Sequence, residues 1–199
     1  MTDPVSGPPA VRSAADLAAG ALAAVRPEHL TARTPCADFD VRALLDHLAW
    51  AALISQRAAT RMPLDPPAPG RPAPFLDGLL PEQWAAAIAP ELDAAADAWA
   101  DPAAWQGDTV LGGATVPAAV VGPLMLTEFV VHGWDLATAV GAPLFLSATL
   151  APVTLAAVEQ VAPMGRDGGW YGPAVPVPED ANPLDRALAL TGRDPDWTG

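Results

Sequence analysis

The stretch Glu128-Phe129-Val130-Val131-His132-Gly133-Trp134-Asp135-Leu136-Ala137 decides how this chain is read. Glu128 and His132 are four residues apart, so on a helix they project from one face, one turn from each other. Asp135 is seven residues from Glu128 and, at about 100° per residue, returns to that face. One helix then carries a carboxylate, an imidazole and a second carboxylate in a column. Leu124, Met125, Phe129, Val131 and Leu136 surround the column and imply burial. Ionisable groups in such a setting need partners, because an unpaired buried charge is costly.

A partner stands in an earlier segment. Val41, Leu44, Leu45, Leu48, Ala51, Ala52 and Ile54 repeat with the helical period, and His47 lies on their inward face. Antiparallel or crossed packing of the two helices brings His47 toward Glu128 and His132. Two imidazoles and a carboxylate suit zinc, nickel or ferrous iron. Three protein ligands leave a position open, the mark of a catalytic rather than a structural ion. Asp135 would then orient a ligand or a bound water from behind. Taken singly, a Glu-x-x-x-His pair is most often a helix surface, and a histidine in an apolar stripe a core residue. Their joint occurrence in a chain with three histidines favours the ion.

Working outward, residues 1–12 read as a flexible arm and residues 13–199 as one helical domain, with an irregular tail from about 165. The first helix is expected from Ser13, with Ser13 as N-cap, until Pro27 stops it. The second starts behind Asp38 or Asp40 and runs to about Met62. Prolines at 63, 66, 67, 69, 72 and 74 make a surface loop. A third helix spans Pro81 to Trp99, kinked or split at Pro90. Residues 104–116 read as an extended excursion or short hairpin. The fourth helix runs from Pro117 or Pro123 to Val140 and stops at Gly141. A shorter helix over Ser147 to Val161 and a short piece over Pro183 to Leu190 complete an all-α bundle.

Composition narrows the function. Net charge is −13, from 23 acids against 10 bases, all arginine, so nucleic acid and anionic membranes are not expected as partners. Mean hydropathy is +0.24, but no stretch approaches the roughly 18 apolar residues of a spanning helix. One cysteine rules out an intramolecular disulfide, and Met1 to Ala10 has no signal-peptide pattern, so a cytoplasmic protein is expected. A homodimer is left open.

The stretch from Thr34-Pro35-Cys36 through Asp46-His47-Leu48 resembles the opening motif of the mycothiol-dependent maleylpyruvate isomerase-like proteins. Glu128 to Ala137 resembles their second motif, and Tyr171-Gly172-Pro173 to Arg193-Asp194-Pro195 a closing motif of single-domain members. The resemblance implies a DinB/YfiT-like metal-binding four-helix bundle with an extra short helix, and the ligands His47, Glu128 and His132. It also implies a zinc-assisted transferase or isomerase acting through a low-molecular-weight thiol such as mycothiol on an electrophilic substrate. Maleylpyruvate isomerase carries a further C-terminal domain, which a chain of this length is not expected to include, so no catalytic arginine is carried over.

Other readings compete: a non-catalytic module binding metal or small ligands, or a hydrolase using bound water with Asp135 or another carboxylate as base. Cys36 offers a redox or metal-binding thiol but reads first as a small buried residue plugging the turn, a few helical turns from His47. His29 reads as a surface or capping residue and Trp134 as core. Arg166, Arg186 and Arg193 suit either a carboxylate on a thiol cofactor or substrate, or surface ion pairing.

Overall fold

Pro8 and Pro9 open the first helix rather than precede it. A computed structural model describes residues 7–63 and 75–199 and gives α1 as Pro8–Leu22. Proline suits the first turn because its missing N–H would be unbonded there anyway, and Val11, fully buried, needs the extra turn. The expected start at Ser13 is thus corrected, and residues 8–12 are not a flexible arm. Ser13 does not cap; its hydroxyl donates to the Pro9 carbonyl at 3.0 Å. Residues 1–6 of the expected arm, and all but the first residue of the proline loop at 63–74, lie outside the described residues.

The second helix, α2, is Val41–Thr60, and its cap is Asp40, whose carboxylate accepts from the Ala43 N–H at 2.8 Å. Helix α3, Pro81–Trp99, passes through Pro90 as one span, so the expected split does not occur: proline removes a single donor from the ladder. The excursion is a hairpin of β1, Asp108–Leu111, and β2, Ala114–Pro117. Gly112 and Gly113 both take positive φ in its two-residue turn, the conformation that matches strand twist. Helix α4 is Ala118–Ala139. Helix α5 runs Leu150–Asp167, starting later and ending later than expected, because Pro163 is carried inside it and Gly168 closes it. Helix α6 is Pro183–Leu190, as the sequence predicts.

Helices α1 to α4 close a ring in which α1 packs on α3 and α4, and α2 on α3 and α4; α5 lies on α4, and α6 on α5. The fold is an all-α bundle; among the described residues it has five long helices, α5 being of a length with the first four, and one shorter helix. Helix α4 is apolar on nearly every side and buried along most of its length, as a central helix must be. Gly133 lets α1 approach: a Cβ there would lie 2.5 Å from Leu17 Cδ2 and 3.2 Å from Ala18 Cα. Among the described residues, no helix is long and apolar enough to cross a membrane.

Candidate metal centre

The inward stripes of α2 and α4 bring together the three side chains that their spacing nominated. Glu128 Oε2 lies 3.1 Å from His47 Nε2 and 3.4 Å from His132 Nε2. The His47 and His132 rings stand edge to face, centroids 4.7 Å apart. Phe39, in the turn before α2, stacks on His47 at 4.9 Å and so fixes the plane of that ring. His132 is 8% exposed against 18% for His47 and 20% for Glu128, so anything reaching the cluster comes from the His47–Glu128 side. Beside His47 a pocket of about 460 Å³ opens, lined by Asp38, Arg42, Asp46, His47, Trp50 and Trp84 among others.

Behind His132 stands Asp135, fully buried. Its Oδ2 accepts from His132 Nδ1 at 2.9 Å, an i,i+3 contact on the same helix. Arg193, from the residues after α6, donates from Nη2 to that oxygen at 3.1 Å and from Nε to Oδ1 at 3.4 Å. With Nδ1 holding its proton for Asp135, His132 turns Nε2 toward the Glu128 carboxylate. A lone pair facing a carboxylate is repulsive unless a proton or a metal ion lies between. Two ligand atoms roughly 2.1 Å from one ion, at angles near tetrahedral or octahedral, stand about 3.0–3.4 Å apart, and the Glu128 contacts fall in that range. The donor set therefore fits a divalent ion.

Without an ion, the same contacts set the charges of the pair. Burial would raise the Glu128 carboxyl, but hydrogen bonds and charge from His132 and His47 outweigh it and hold it well below the usual carboxylate range. Burial opposes an imidazolium at His132, yet the bonds to Asp135 and Glu128 prevail and raise it above its ordinary 6.5. The two opposed groups stabilise each other's charge, so without an ion a proton is held between them, and an ion bound there would replace it.

Cys36 is nearer than its sequence position suggested. Its Sγ and donor atoms of His132 and Asp135 lie within 4.8 Å of one another, because the turn before α2 folds back through an Arg33–Asp40 bridge. Burial pushes its thiol up, against the pull of Arg193, so it is held as a thiol rather than primed as a nucleophile. His29 accepts from the Arg26 N–H at 3.2 Å, a capping role. Trp134 packs with Val131 and Leu188 in the core. Arg166 donates to the Leu190 carbonyl at 3.1 Å, and Arg186 pairs with Glu159 at 3.6 Å. Arg193 is the residue that sequence reasoning misplaced. Tyr171 was also missed: its hydroxyl is buried with no hydrogen-bond partner among the described residues.

The family model described as the mycothiol maleylpyruvate isomerase N-terminal domain matches residues 11–137. Uncharacterized protein Rv0738 of Mycobacterium tuberculosis strain H37Rv is 34% identical over 184 residues, covering 90% of this chain and 93% of its own. Uncharacterized protein MT0763 of strain CDC 1551 matches with the same identity and coverage. No solved structure matches the chain.

Proposed function

The chain belongs to the mycothiol maleylpyruvate isomerase N-terminal domain family, and from that premise we propose a metal-dependent transferase or isomerase acting through a low-molecular-weight thiol of the mycothiol type. His47, Glu128 and His132 are the proposed ligands of the ion, zinc first, with nickel or iron as alternatives. The observation that carries the reading is the meeting of both Nε2 atoms on one oxygen of Glu128. A divalent ion in that set would lower the pKa of a bound thiol as it does that of bound water.

The chain's own residues supply the rest. Asp135 holds the His132 proton on Nδ1 and so keeps Nε2 free for the ion. The pocket beside His47 receives the thiol and its electrophile, and Trp50 and Trp84 offer it apolar faces. The proposed partners are a small thiol and a small electrophile in the cytoplasm; the net charge of −13 argues against nucleic acid and anionic membranes. Asp135 has both oxygens engaged by His132 and Arg193, which argues against it as the base of a hydrolase.

Elemental analysis of untagged protein, alongside His47→Ala and Glu128→Ala, tests the ion. Titrating mycothiol into cobalt-substituted protein then tests the thiol. A change in the cobalt absorption at millimolar thiol supports the reading. An unmoved spectrum with stoichiometric metal leaves a binding module, or a hydrolase with a carboxylate other than Asp135 as base.

A further inference from the structure

The residues after α5 do more than cover the bundle. Asn182 caps α6, its side chain accepting from the Asp185 N–H at 3.0 Å. After Leu190 the chain turns at Gly192, with φ of +82°, and the Arg193 N–H closes the turn on the Leu188 carbonyl at 3.0 Å. That turn crosses the Tyr171–Gly172 segment at close range: a Cβ on Gly192 would stand 3.0–3.2 Å from Gly172 backbone atoms. Two backbones crossing at paired glycines aim Arg193 inward, where it is 6% exposed.

At the end of that path the guanidinium meets Asp135 with two donors, while its Nη1 donates to the Thr191 carbonyl at 3.0 Å. Asp135 Oδ2 thereby serves Arg193 and His132 at once. A planar fork fixes the plane of a carboxylate in a way that a point charge does not. The carboxylate plane in turn fixes the imidazole, and the imidazole aims Nε2 at Glu128.

We propose that Arg193 is a positioning residue of the metal centre, and that docking of the tail and binding of the ion strengthen each other. The proposal rests on His47, Glu128 and His132 as ligands. Coupling of this kind is reciprocal: whatever the tail adds to metal affinity, the metal adds to tail docking.

Zinc affinity by competition with a chromogenic chelator separates the possibilities. Arg193→Met is expected to weaken zinc binding about tenfold to hundredfold and to alter the cobalt(II) d–d spectrum. Arg193→Lys, which keeps the charge and loses the fork, falls between. Arg186→Met removes only a surface ion pair of the tail and leaves affinity and spectrum as in wild type. In wild type, zinc slows hydrogen exchange of amides in 171–175 and 188–193, a readout that needs no variant to fold. Unchanged tail exchange on zinc addition, or a folded Arg193→Met with wild-type affinity and cobalt spectrum, overturns the proposal and leaves the ligand set standing. A wild type that binds no zinc overturns the ligand set, and the proposal with it.

Discussion

Asp135 Oδ2 lies 2.9 Å from His132 Nδ1 and 3.1 Å from Arg193 Nη2, so one buried oxygen joins an imidazole of α4 to a guanidinium 58 residues beyond Asp135. Removing one partner of such a buried pair strands the other. Asp135→Asn should cost about 3–5 kcal/mol of folding stability, measured by urea unfolding. The double variant Asp135→Asn/Arg193→Met should recover part of that loss. Strictly additive losses would mean that the two residues act separately.

Removing a ligand should act on the metal more than on the fold. Glu128→Gln keeps the shape but loses the charge between two imidazoles, and its zinc affinity should fall by at least about a hundredfold, beyond what outer partners contribute. Isothermal titration of chelator-treated protein measures this, and an unchanged affinity would remove Glu128 from the ligand set.

The pH dependence has a definite sign in metal-free protein. His132 is raised above 6.5 in the fold, so its contribution is complete below that value and lost as pH rises through the folded one. Glu128 is held below 4.5, so its contribution is present above 4.5 and lost as pH falls toward the folded value. Chelated protein should therefore be less stable at about pH 8 than at about pH 6. Zinc-loaded protein should not lose that stability, because the ion replaces the proton on Nε2. Thermal melts with and without chelator give the comparison. Chelated protein that gains stability over this range contradicts the assignment.

Two glycines should respond in opposite directions to the same change. Gly20, in α1, has nothing within 4 Å of an added Cβ, so Gly20→Ala should stabilise by up to about 1 kcal/mol through helix propensity. Gly133→Ala gains the same propensity but drives a methyl into Leu17 and the Ala18 backbone. A net loss of about 1–2 kcal/mol is expected. Thermal unfolding of the two variants against wild type is the check.

Tyr171 offers a further contrast. Its buried hydroxyl has no protein partner among the described residues and so gives the fold nothing to set against its desolvation. Tyr171→Phe should leave stability unchanged or slightly raised. A loss above about 1 kcal/mol would mean the hydroxyl is bonded in solution.

What the sequence made legible was local. His47, Glu128 and His132 fall on helical stripes whose period can be counted, and Asp40 caps where a cap is needed. What escaped depends on how separate segments return to one another. Arg193 lies in the closing motif, but nothing in the sequence names its partner, since its role comes from a turn at Gly192 and a contact with α4. Cys36 was judged by its distance along the chain, whereas the turn before α2 folds it back beside Asp135. The early start of α1 was hidden because Pro8 and Pro9 read as disorder, while the buried Val11 next to them carried the helical signal.

The site also has a topological side. His47 and Glu128 are 81 residues apart in the chain, and α3 and the hairpin lie between them. An ion held by both would be a cross-link closing that loop. Tying off a loop of such length removes roughly 4–5 kcal/mol of conformational freedom from an unfolded chain. In a protein with one cysteine, coordination would do the stapling that a disulfide does elsewhere, and unlike a disulfide it would come undone in a chelator without any change of redox state.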